Sequence, residues 1–475
     1  MRRTKIVCTI GPSTSTSQAI HALIEGGMDI ARINMSHGEH ETHAETIACL
    51  RRTAEELDRN LGILVDLAGP KVRVCGLTEA LVLEPGQTIT IAKESSDHIS
   101  DISVTSFEWF KALIPGDPVL LDDGALELSF IESVESTTPR AVFEVVRGGI
   151  LTEGKGVNIP NVNIETVSLT EKDLVDLEFA LSKGVEYIGL SFVLSAADVL
   201  RLKDKIAGKT LIVAKIEKAK AMESLDEIVD STDALMVARG DLGVELPFER
   251  VPRAQKRIIR WGNFVARPVI TATQMLGSMI DHSRPTRAEV SDVANAILDG
   301  SDAVMLSGET AIGKHPIKAL EAMVSIIQEV ESSGFLEQGP LYGTFSGTHK
   351  RGGATPREHA VASATVEVAR QLEVPAVIVI THNGFSARLV SSYRPKAPLF
   401  AVCIDSYTCR QLAAVWGVYP ILAEDIEVSY EALSQFGKQV VLDRKLGVSG
   451  DSIVVTAGVP FNISGTTNTM RVEVL

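Results

Sequence analysis

No uninterrupted apolar run among the 475 residues approaches the roughly 18 needed to cross a bilayer, which excludes a helical membrane protein. Cysteine is scarce and unpatterned: Cys8, Cys49, Cys75, Cys403 and Cys409 are odd in number and show no CxxC spacing. That argues against a disulfide framework or a zinc site, and points to reduced thiols in a cytoplasmic protein. Positive charge is also short, with 46 Lys and Arg against 61 Asp and Glu for a net charge of −15. A broad nucleic-acid surface is therefore not expected, and an anionic substrate must find its cations locally. Low-complexity tracts and short-period repeats are missing. The basic start MRRTKIVCTI has no plausible cleavage site and is cut by Gly11-Pro12, so it reads as a first strand and not as a leader.

What the chain does contain is a rhythm of short β-rich runs, polar turns and helix-patterned stretches. Eight runs qualify: Lys5–Ile10, Ile30–Met35, Ile63–Leu67, Tyr187–Phe192, Leu211–Ile216, Ala234–Ala238, Val269–Ala272 and Ala303–Leu306. Helix patterns over Glu39–Leu57, Glu171–Ser182, Val251–Val265 and Arg287–Leu298 lie between them. Near-continuously apolar strands alternating with helices predict a parallel (β/α)8 TIM barrel, with a doubly wound open sheet as the alternative.

The rhythm breaks once. Residues 70 to 155 carry turn signals (Glu84-Pro85-Gly86, Pro115-Gly116-Asp117, Asp122-Asp123-Gly124) and short runs at Thr88–Ala92, Pro118–Leu121 and Ala141–Val146. They predict a small β-barrel domain inserted after strand three, placed to act as a lid. A stretch with six glycines, Gly334 to Gly353, ends the catalytic barrel, which spans 1–69 and 156–340. A C-terminal α/β domain over 341–475 follows, with helices at 357–373, 386–393 and 406–416 and strands at Ala376–Thr381, Leu399–Cys403, Ser452–Ala457 and Met470–Leu475.

Polar residues collect where the barrel strands end. The second gives ARINMSHG with Arg32, Asn34, Ser36 and His37, and the third gives Asp66. LIVAKIE brings Lys215 and Glu217, MVARGDLG brings Gly240 and Asp241, ITATQM brings Thr273, and MLSGET brings Ser307. Taken singly, each is as well explained by a solvated or salt-bridged side chain; gathered at one rim they are not. Glu217 and Asp241 form a hard oxygen pair suited to Mg²⁺, which takes its remaining ligands from water and substrate. Lys215 beside that ion meets charge developing on a moving phosphoryl group, and Arg32 and Arg73 offer bidentate phosphate contacts.

Several of these stretches together resemble pyruvate kinase over essentially the whole chain: TIGP (9–12), ARINMSHG (31–38), KGVNIPN (155–161), LSFV (190–193), LIVAKIE (211–217), VARGDLG (237–243), TATQML (271–276), PTRAEVSDVANAILDG (285–300) and VMLSGETA (304–311). The resemblance implies phosphoryl transfer from phosphoenolpyruvate to ADP, giving pyruvate and ATP. It implies Glu217 and Asp241 as ligands of Mg²⁺ or Mn²⁺, Lys215 as stabiliser of the transition state, and Arg32 at the phosphoryl group. Gly240, Asp241 and Thr273 fall at the substrate carboxylate, and Pro12, Asn34, His37, Arg73 and Lys155 on the nucleotide side. Thr273 or Ser307 belongs to a relay that protonates the enolate. An ADP-independent, metal-dependent lyase of the aldolase type is the alternative.

ILVDLAGPKVR departs from the K⁺-requiring members of that family. Asn34, Ser36 and Asp66 of a monovalent-cation pocket are kept, but Leu67 offers only its carbonyl, and Lys71 stands where those members have a glutamate. The resemblance is to the K⁺-independent subgroup, with Lys71 supplying the charge of the ion. In the C-terminal domain, Thr381, Asn383, Gly384 and Ser386 form a strand–turn–helix able to hold a phosphate, with SGTTN (464–468) adding donors. The family implies a phosphorylated allosteric effector there, and a homotetramer.

Overall fold

The computed structural model describes residues 1–93, 100–134, 139–160, 168–338, 354–460 and 466–475. Eight parallel strands close into a barrel in sequence order: β1 Lys5–Thr9, β2 Ile30–Asn34, β3 Gly62–Asp66, β4 Tyr187–Leu190, β5 Leu211–Ile216, β6 Ala234–Ala238, β7 Val269–Ala272 and β8 Ala303–Leu306. Closure is made where β1 pairs on both sides, Cys8 opposite Leu306 and Ala31. Six of these strands are buried at every position, which is why they read as unbroken apolar runs, and the closure itself rules out the open-sheet alternative. The surrounding helices start on sequence-encoded caps: Thr170 with Asp173, and Thr286 with Glu289, each form a reciprocal capping box.

Between β3 and β4 the chain leaves the barrel and builds a second, smaller closed barrel of seven strands. Its core holds Phe110, Phe130 and Phe143, which meet as tilted or edge-on pairs. The returning strand Gly156–Asn158 pairs with Val72–Cys75 and Pro118–Leu121, so this barrel reaches past the expected limit at residue 155.

The C-terminal domain is a five-stranded sheet ordered β11 Val418–Leu422, β10 Leu399–Cys403, β9 Val377–Thr381, β12 Ser452–Ala457 and β13 Thr469–Val474, the last antiparallel. Strand β11 and the helix Tyr430–Asp443 were not expected. The helix expected over 406–416 ends at Gln411 and tightens into a 3-10 turn, Leu412–Ala414. This domain plugs the barrel at the strands' N-terminal ends: Lys5 Nζ donates to Val418 O at 2.7 Å, and Arg394 pairs with Asp302 at 3.1 Å. The glycine-rich stretch from residue 339, with the boundary at 340 and 341, lies outside the described residues, as do Asn161 and residues 464 and 465. Among the described residues no helix is long and apolar enough to cross a membrane.

Candidate active site

The open rim, where β1 to β8 end, carries a buried charge cluster centred on Asp66, the last residue of β3. Arg32 reaches it from β2, with Nε and Nη2 at 2.8 and 2.6 Å from Asp66 Oδ2, and steadies its remaining nitrogen on Thr9 Oγ1 at 3.1 Å. Lys215 from β5 lies 3.1 Å from Asp66 Oδ1, 3.0 Å from Glu217 Oε1 and 2.7 Å from Ser191 Oγ. Two carboxylates and a hydroxyl thus surround the ammonium, which donates a hydrogen bond to Ser191 and is ion-paired with Asp66 and Glu217. Burial would strip its proton, but the carboxylates of Asp66 and Glu217 more than reverse that and hold the pKa above the ordinary lysine value. Burial likewise raises the Asp66 carboxyl, and Lys215 and Arg32 overcome it and depress the pKa.

The close packing of Asp66 depends on a missing side chain. Gly189 in β4 lies opposite Asp66, and a Cβ there would come within 2.7 Å of Asp66 Oδ1. Ser191, two residues on, links Lys215 back to the third strand by donating to Leu67 O at 2.6 Å. The carbonyl expected to serve a monovalent cation is thus already engaged. Ser191 and Thr9 were passed over in the sequence, although Ser191 lies inside LSFV at a strand end, where the rim rule would have found it.

Glu217 follows β5 directly and is 1% exposed. Its Oε2 accepts the Phe192 N–H at 2.6 Å, while burial, with Asp241 adding to it against Lys215, raises its carboxyl pKa. Asp241 is not on a strand: it sits in the first turn of the short helix Arg239–Glu245 after β6. These two carboxylates suit a hard divalent cation that completes its shell with water and substrate. Among the described residues, no cluster of three His, Cys, Asp or Glu side chains is placed to hold a metal by protein alone.

Thr273 directly follows the seventh strand at φ +66, a left-handed conformation braced by Arg239, which donates to Thr273 O at 2.7 Å and pairs with Asp292. Its Oγ1 accepts the Gly240 N–H at 2.8 Å, which ties the sixth and seventh rim segments together. Ser307 Oγ is buried with no hydrogen-bond partner among the described residues, an open donor after β8.

The nucleotide-side candidates are spread more widely. Asn34 Oδ1 accepts the Ser36 N–H at 3.2 Å, and Pro12 and His37 are solvent-exposed. Partial desolvation of His37, with the Arg73 and Arg32 cations, lowers its imidazole pKa. Arg73 Nη1 donates to Gly154 O at 2.9 Å, and Lys155 pairs with Asp122 at 2.7 Å. Lys71 turns away from Asp66. Its Nζ lies 3.1 Å from Asp241 and 3.9 Å from Asp123, so the ammonium lies against a candidate metal ligand and its ion pairs are not with the Asn34, Ser36 and Asp66 set.

Residues 1–320 match the family described as pyruvate kinase, barrel domain, and residues 359–473 match pyruvate kinase, alpha/beta domain. The chain belongs to the pyruvate kinase family. Pyruvate kinase 2 of Synechocystis sp. is 41% identical over 481 aligned positions, covering 100% of this chain and 79% of that protein. The pyruvate kinase of Geobacillus stearothermophilus is 40% identical, with 100% and 80% covered, and that of Clostridium acetobutylicum 38%, with both chains covered in full. As a pyruvate kinase, the chain transfers the phosphoryl group of phosphoenolpyruvate to ADP, giving pyruvate and ATP. The family assignment does not favour the lyase alternative.

In the C-terminal domain, the pyruvate kinase effector candidates gather at one turn. Thr381 ends β9, Gly384 caps the helix Phe385–Ser392 at φ +78, and Asn383 Oδ1 accepts the Phe385 N–H at 3.1 Å. Ser386 Oγ meets Thr467 Oγ1 at 2.8 Å, so the described part of the 464–468 loop does reach this turn.

Proposed function

We propose that phosphoenolpyruvate binds across the Asp66-centred cluster, with Lys215 and Arg32 meeting its phosphoryl group. The observation that carries this reading is the buried ammonium of Lys215, held among Asp66, Glu217 and Ser191 at the barrel's open rim, in a chain of net charge −15. Glu217 and Asp241 are the residues that would hold Mg²⁺ or Mn²⁺, and the ion when bound neutralises charge on the transferring phosphoryl oxygens. Gly240 N–H and Thr273 Oγ1, which are hydrogen-bonded to each other, turn to the substrate carboxylate. Pro12, Asn34, His37, Arg73 and Lys155 face ADP from the rim and the insert. The enolate left after transfer takes its proton through Thr273 and Ser307, whose hydroxyl has a hydrogen bond to spare. Exclusion of water by the insert keeps the phosphoryl group from hydrolysis. Pyruvate measured with Mg²⁺, with and without ADP, tests the assignment: release of pyruvate at the same rate without ADP sinks it.

K⁺ is not required in this reading, because Lys71 places a permanent cation on Asp241. Activity in Mg²⁺ buffer free of K⁺ and Na⁺ should rise less than about twofold on adding K⁺, and Lys71→Glu should make the enzyme K⁺-dependent. Strong stimulation of the unmodified protein by K⁺ refutes the idea. The turn at Thr381, Asn383, Gly384 and Ser386 binds a phosphorylated effector in a cytoplasmic homotetramer. Sugar phosphates and nucleoside monophosphates should lower the KM for phosphoenolpyruvate in steady-state kinetics; a panel without effect removes this role.

A further inference from the structure

One charge pair is buried where the barrel meets the insert, outside the phosphoryl site. Lys218 follows Glu217 directly, and its Nζ lies 2.5 Å from Glu245 Oε1, with the two side chains only 10% and 4% exposed. The ammonium also lies over two rings, 5.1 Å from the centroid of Trp109 and 5.7 Å from that of Phe192. Trp109 belongs to the insert, in the 3-10 turn Glu108–Ala112, and is 7% exposed. Asn158, on the insert's returning strand, lies close enough to Glu245 for its side chain to favour the carboxylate. The insert therefore grips this pair at two points, Trp109 and Asn158.

The barrel side of the grip is as specific. Lys218 adjoins Glu217, and Glu245 ends the short helix whose first turn carries Asp241. Phe192, whose ring shares the ammonium, gives its N–H to Glu217 Oε2. Its ring also packs on the hinge glycine: a Cβ on Gly69, at φ +70, would lie 2.7 Å from Phe192 Cδ2. A buried Lys–Glu pair gains little stability over an apolar pair of equal volume, because desolvation offsets the attraction. A cation desolvated between two aromatic rings is worth more than one in water, and only while both rings are in place. Movement of the insert would carry off Trp109 and Asn158 and return the pair to solvent.

We infer that Lys218, Glu245 and Trp109 form a latch that holds the insert over the phosphoryl site and fixes its position against the segments bearing Glu217 and Asp241. These three are positioning residues. The inference rests on the metal assignment given to Glu217 and Asp241. Steady-state kinetics of Trp109→Leu and Lys218→Met test it. Both variants should raise the KM for ADP about tenfold with kcat changed less than about twofold. Pyruvate released per ATP should rise above one, as the phosphoryl group passes to water and leaves as inorganic phosphate. Lys218→Arg, which keeps a cation over the rings, should restore both readouts, and Trp109→Leu leaves the barrel's own core untouched should Lys218→Met fold poorly. A wild-type KM and ratio in both variants, while Glu217→Gln abolishes Mn²⁺ binding, overturns the latch and leaves the metal assignment standing. Wild-type Mn²⁺ binding by Glu217→Gln and Asp241→Asn overturns the metal assignment, and with it the latch's tie to those segments.

Discussion

Lys215→Met should lower kcat by about three orders of magnitude while leaving ADP affinity within about twofold. Methionine fills the volume of the lysine stem, so the barrel core keeps its packing, but the charge at the centre of the rim is lost. The ammonium is the group shared by Asp66, Glu217 and Ser191, and it is the cation aimed where a phosphoryl oxygen gains charge. ADP affinity is spared because the nucleotide-side candidates Arg73 and Lys155 hang from the insert on their own partners, Gly154 and Asp122. Single-turnover kinetics and nucleotide titration separate the two quantities. Turnover within about tenfold of the unmodified protein removes Lys215 from the chemistry.

Asp66→Asn should be the more damaging change to the fold. The amide matches the carboxylate in shape, yet Arg32 loses its carboxylate partner and Lys215 one of its two, in a place where Asp66 is 1% exposed. Breaking a buried pair from one side costs about 3–5 kcal/mol, since an uncompensated ion remains behind. The same substitution frees Arg32 and Lys215 to leave the geometry that meets substrate, so kcat/KM for phosphoenolpyruvate should fall about 100-fold. Urea titration and steady-state kinetics report the two effects. A variant as stable and as active as the unmodified chain shows that the cluster organises neither.

The barrel was legible because its strands are buried on both faces and therefore read as apolar runs; all eight fall where the runs place them, four with the same bounds and four with ends moved by one or two residues. Strand β11 was not, because VYPIL carries Pro420, which suits only an edge. At the rim, Arg32, Lys215 and Glu217 converge as their strand ends imply. Lys71 illustrates what sequence proximity cannot supply: close to Asp66 along the chain, it pairs with Asp241 across 170 residues, because the turn at Gly69-Pro70 sends the chain out toward the insert. Lys218 and Glu245 escaped notice for the same reason, since Trp109 and Asn158, which meet them, come from a different domain.

The insertion of one closed barrel within another has a kinetic consequence. Strands β3 and β4 pair directly, Leu64 opposite Tyr187, although roughly 120 residues separate them, so joining them means closing a long loop against chain entropy. Val72 and Val157 face each other at the base of the small barrel. Once that barrel has folded, the long loop shrinks to a short arm from Asp66 to Val72 and a longer, partly helical one from Val157 to Tyr187, and the search that joins β3 to β4 becomes more local. The domain that caps the finished enzyme thus also acts as the clasp that lets the larger ring find its own closure.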